Sequence, residues 1–112
     1  MSNRAAVLIM TVSDKPSAEM RDEEMTEQRG AYRWYKIPLP GLTASLIEQC
    51  RELYPAGTDF NGPVFYGAVV NQGGVELGGT KSFSLKALEK ARALNDLAST
   101  MADISANAVK GD

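Results

Sequence analysis

The stretch "RGAYRWYK", Arg29 to Lys36, gathers three aromatic and three basic side chains into eight residues. The segment from Tyr32 to Leu39 reads as a strand that ends at Pro38 and Pro40. Side chains alternate between the two faces of a strand. Tyr32, Trp34 and Lys36 therefore share one face, and Arg33, Tyr35 and Ile37 share the other. Segments of helix-forming composition flank this strand on both sides, and that alternation decides the fold class.

Upstream, "AAVLIMTV" (Ala5 to Val12) is rich in branched residues and stops at the turn-like Ser13-Asp14-Lys15-Pro16. It predicts a strand with apolar residues on both faces, buried on each. Between the two strands, "SAEMRDEEMTEQR" (Ser17 to Arg29) favours a helix that Ser17 caps and Gly30 stops. Ala18, Met20 and Met25 form no clean stripe, so residues 17–30 are predicted as a solvent-exposed helix or a mobile loop.

Downstream, a helix is predicted from about Leu42 to Tyr54. Thr43, Leu46, Cys50 and Leu53 give its apolar face, which Ile47 and Tyr54 widen. A loop, "PAGTDFNGP", leads to a strand at Val64 to Asn71. "QGG" then turns the chain into "VELGGTKSF", completing a β-hairpin whose Gly78-Gly79 pair marks a bulge.

Ser84 caps a last helix reaching about Val109, with fraying expected from residue 105. At 1.5 Å per residue such a helix is roughly 40 Å long, more than a domain of this size needs for its own core. Leu94, Leu97, Met101 and Ile104 repeat at heptad-like spacing and are the expected dimerisation residues. The order is β-α-β-α-β-β-α: a single α+β domain over 1–112, with a small sheet and the long helix packed across it. The hairpin is antiparallel, whereas the β-α-β start admits a parallel pair and so a mixed sheet.

Composition excludes more than it selects. The chain has 112 residues, 44% of them hydrophobic and 23% charged, as expected of one globular domain and not of a disordered or fibrous chain. Net charge is −2 with both signs spread along the chain, so the positive excess of duplex-DNA binders is missing. One cysteine forbids an intrachain disulfide. The absence of histidine removes His-based acid–base and triad catalysis and most zinc and haem ligation. The only early apolar run is too short to span a bilayer and lacks a cleavage site, so the expected location is the cytoplasm of the producing cell or of a viral host.

The aromatic and cationic strand has the ingredients for stacking single-stranded bases and holding their phosphates. It departs from the RNP1 pattern of RNA-binding sheets, because Ala31 follows Arg29-Gly30 and Arg33 stands where an aromatic belongs. Core packing or a protein interface suits the same residues, since Trp, Tyr and Arg dominate binding hot spots. In "GGVELGGTKS" (Gly73 to Ser82), Lys81 falls one or two places late for a P-loop. What remains there is an anion contact at Thr80, Lys81 and Ser82, beside the start of the last helix.

Carboxylates Asp14, Asp59 and Glu76 could meet on Mg²⁺, though no spacing supports it, and "DFNG" is only a fragment of a calcium loop. Cys50 reads as a buried structural thiol, and "DEEMTE" (Asp22 to Glu27) as a solvated helix face or a docking patch for a basic partner. No catalytic residue, metal site or cofactor is expected. The expected function is that of a small non-enzymatic binding protein, an adaptor, regulator or phage-type inhibitor. It would occupy a protein partner through Tyr32, Arg33, Trp34, Tyr35 and Lys36, as a homodimer. The alternative is a single-stranded nucleic-acid binder using the Tyr32/Trp34 strand.

Overall fold

A computed structural model describes residues 4–12, 21–58 and 64–110, with Asp22 and residues 101–110 described by backbone alone. The strands are β1 (Arg4–Val12), β2 (Met25–Arg29), β3 (Tyr32–Thr43), β4 (Val64–Asn71) and β5 (Lys81–Ser84). The helices are α1 (Ala44–Leu53) and α2 (Leu85–Lys110). The five strands form one sheet in the order β2-β3-β1-β4-β5, and every pairing is antiparallel. The chain is the α+β domain expected, with its long last helix across the sheet, and the parallel pair that the β-α-β start admitted does not form.

One segment departs from its helix-like composition. A single 3-10 turn, Asp22–Glu24, occupies part of it, and Met25–Arg29 is strand β2. Gly30 does not stop a helix. Its φ of +57° lets Gly30-Ala31 turn β2 directly into β3, so that Arg29 pairs Tyr32. Pairing with β3 overrides local helix propensity, as tertiary contacts often do. Ser17 and Met20 lie outside the described residues.

Strand β3 runs through Pro38 and Pro40 to Thr43 instead of ending at them. Both prolines lie past the last residue that pairs with β2, Tyr35, so the missing amide deprives no second neighbour of a bond. Thr43 then caps α1, its Oγ1 accepting from the Leu46 amide at 3.3 Å.

The core lies on one side of the sheet. Val7 and Ile9 of β1, Tyr35, Ile37 and Leu39 of β3, and Phe65 and Val69 of β4 meet Ile47 and Cys50 of α1 and Leu88 and Ala91 of α2. On α1 the buried stripe is Ile47 and Cys50, whereas Leu46 and Leu53 of the expected face are exposed. Helix α2 enters through Ser84, whose Oγ accepts from the Ala87 amide at 3.1 Å and donates to the Tyr54 carbonyl at 2.6 Å. Further along, Asn95 Oδ1 accepts from the Gly41 amide at 2.8 Å, and Arg92 pairs with the buried Glu24. The hairpin turns at Asn71–Val75. Residues 68 and 69 of β4 then oppose residues 77–80, which contain the expected Gly78-Gly79 bulge, before Gly67 pairs Lys81.

Candidate functional site

Both helices pack on one face of the sheet, so the side chains of the opposite face are placed by strand register alone. Across β1, Met10 pairs with Trp34 on one side and Tyr66 on the other. The next row is Lys36, Leu8 and Ala68, and beyond it come Pro38, Ala6 and Val70. At the other end, Val12 pairs with Tyr32. No described helix covers these rows.

The exposure is uneven. Val12 (57%), Tyr66 (52%), Tyr32 (48%) and Leu8 (38%) are open to solvent, and Trp34 and Met10 are half-buried. Ala6, Ala68 and Val70 are buried. The Tyr32 and Trp34 rings lie 6.3 Å apart at an interplanar angle of 31°. A depression of about 170 Å³ lies beside Ala6, Lys36, Pro38 and Asn71. A broader one of about 450 Å³, lined by Arg21, Glu23 and Thr26, adjoins Lys36 and Pro38 on the β2 side.

Charge on this face nearly cancels. Arg29 and Glu27 of β2 close on each other at 2.7 Å. Lys36 makes no ion pair with a described residue. The surface is therefore apolar and aromatic with one ammonium near its centre, a composition suited to contact with another protein.

Of the expected contact residues, Tyr32, Trp34 and Lys36 come together here. Tyr35 does not belong with them: at 3% exposure it is a core residue, aligned with Ile9 and Ile37 under the helices. Arg33 is half-buried on that same helix side, paired with Thr11 and Gln28 in the sheet. The residues that composition does not single out are Leu8, Met10 and Tyr66. The branched residues of "AAVLIMTV" predict burial on both faces, yet Leu8 and Val12 are exposed, because the helices cover one face only. Alternation in Val64–Asn71 puts Tyr66 opposite Phe65, but only register brings it beside Met10.

The other expected sites lie away from this face. Of the expected dimerisation residues, Leu94 is half-buried against the core and Leu97 is exposed. The side chains of Met101 and Ile104 lie outside the described residues, as do Asp14 and Asp59. Near the start of α2, Lys81 pairs with Glu48 at 3.0 Å, and the buried Ser84 caps the first turn of the helix beside Thr80, Lys81 and Ser82.

Glu48 also accepts from Arg51 at 3.0 Å. Burial pushes its carboxyl up, but the Lys81 and Arg51 hydrogen bonds and charges together outweigh this and hold it below the usual range. Burial raises the Cys50 thiol against the opposing charge of Lys90, which leaves it inert. No cluster of three carboxylate or thiol ligands occurs among the described residues. No described helix is long and apolar enough to cross a membrane. Comparison of the chain with known protein families, characterised proteins and solved structures found no match.

Proposed function

We propose that this chain is a small, non-enzymatic cytoplasmic binding protein that acts by occupying a protein partner, and that it works as a homodimer. The observation that carries this reading is the open face of the sheet, where Trp34, Met10 and Tyr66 line up across three strands, flanked by exposed Tyr32, Val12 and Leu8. Aromatic side chains supply large contact area at low entropic cost, and contiguous apolar surface of this kind marks interaction sites. Such a mechanism is steric, as in an adaptor, regulator or inhibitor.

Immobilised protein is expected to retain a partner from lysate, and Tyr66→Glu is expected to abolish that retention while leaving the circular dichroism spectrum unchanged. Retention that ignores Tyr66→Glu would remove the open face from the account.

One observation favours a second reading. The tilted Tyr32–Trp34 ring pair next to Lys36 suits two unstacked bases and a phosphate. Quenching of Trp34 emission by mixed-sequence single-stranded DNA or RNA at low salt, reversed at high salt, would put that reading first. Emission indifferent to oligonucleotide would leave the protein partner.

A further inference from the structure

The open face has two unlike halves. Its tall side chains, Tyr32, Trp34, Met10, Val12 and Tyr66, crowd one half. The other mixes buried short ones, Ala68 and Ala6 at 7% and 8% exposed and Val70, with exposed Leu8, Lys36 and Pro38, the last two beside the 170 Å³ depression. Along the strands the four rows extend about 20 Å, and the five strands extend about as far across. That footprint is roughly 400 Å² in projection, about half of the roughly 800 Å² of accessible surface each partner gives to a standard interface, so the side chains standing out from it and the rim supply the rest. Since Glu27 and Arg29 neutralise each other, the face asks for no strongly charged occupant.

Turned by 180° about an axis that crosses the strands between the Trp34 row and the Lys36 row, the face matches itself. Tyr66 then lies over the partner's Ala68, Tyr32 over the partner's Pro38, and Val12 over the partner's Ala6. Met10 meets the partner's Leu8, and the Trp34 ring meets the ammonium of the partner's Lys36, a cation–π contact. Tyr66, Tyr32 and Val12 thus each face a smaller residue, and Met10 and Leu8 meet as apolar neighbours, which suits sheets packed face to face about 10 Å apart.

We propose, resting on the reading of this face as a protein-binding surface, that its occupant is a second copy of this chain, stacked sheet on sheet about that two-fold axis. The dimer contact is then the sheet and not the Leu97 side of α2.

Sedimentation equilibrium of the full chain over a wide concentration range, with Trp34 emission recorded on the same samples, tests this. The expected result is a dimer mass, with Trp34 emission moving to shorter wavelength as the dimer forms. Tyr66→Glu and Val12→Glu, both at exposed positions, each weaken association at least tenfold, and Leu97→Glu leaves it unchanged. A wild-type chain that stays monomeric overturns the proposal, as does a dimer broken by Leu97→Glu but not by Tyr66→Glu. If Tyr66→Glu still abolishes retention of a lysate protein in either case, the protein-binding reading stands without the second copy. If retention is also unaffected, both fall.

Discussion

Gly67 of β4 leaves no room for a side chain against β1. A Cβ built there would lie 2.2 Å from the Leu8 carbonyl oxygen and 2.9 Å from the Ile9 Cα. Backbone cannot move aside as a flexible side chain can, so Gly67→Ala must push two central strands apart. A loss of about 3 kcal/mol is expected, read as a lower urea midpoint. Glu48 acts at the same scale but through charge. Its carboxyl sits below its unfolded value, so its contribution to stability is complete above the ordinary glutamate range and is lost as pH falls through the lowered value. Glu48→Gln is expected to cost about 0.5–1 kcal/mol at pH 7, where the partly exposed pair is screened, and nothing once Glu48 itself is protonated. Urea unfolding at neutral and at strongly acid pH checks both arms.

At the scale of elements, two fastenings tie α2 to the rest. Ser84 satisfies an amide of the first turn and binds the Tyr54 carbonyl after α1, so Ser84→Ala removes a cap and a tether together. A cost of about 1–2 kcal/mol is expected, at the upper end for a cap. The Glu24–Arg92 pair joins the 3-10 turn before β2 to the middle of α2, with side chains only 6% and 17% exposed. Arg92→Met strands a buried carboxylate, and a cost of about 3–5 kcal/mol is expected. Replacing both residues with apolar ones should recover much of that loss, and a double-mutant cycle measures it. Elements whose pattern is local were legible in the sequence: the Trp34 strand, the capped last helix, and the hairpin with its glycine bulge. Strand β2 was not, because "DEEMTEQR" carries helix propensity and its strand character comes only from β3 beside it. Gly30 was the available clue, since one glycine serves equally as a helix stop or a hairpin turn.

For the whole molecule, alternation along β3 already separated Tyr32, Trp34 and Lys36 from Tyr35. It could not tell which set faces the helices, because that depends on where Ile47, Leu88 and Ala91 pack. Nor could it join Tyr66 to Trp34, which lie on strands two places apart in the sheet and 32 positions apart in the chain. The candidate face is therefore a property of the register. Any substitution that slips β1 by one residue would exchange the core row Val7 and Ile9 for the face row Leu8 and Met10.

The strand made first, β1, is the middle of the sheet: Ala5 pairs Asn71 and Val7 pairs both Ile37 and Val69. During synthesis this apolar segment must wait, unpaired on one side, until the chain beyond Asn71 has left the ribosome. Folding is thus governed by a long-range closure and is slow for a chain of this length. The interval before β4 arrives is when a chaperone has most to hold and when stray pairing with another nascent chain is most costly.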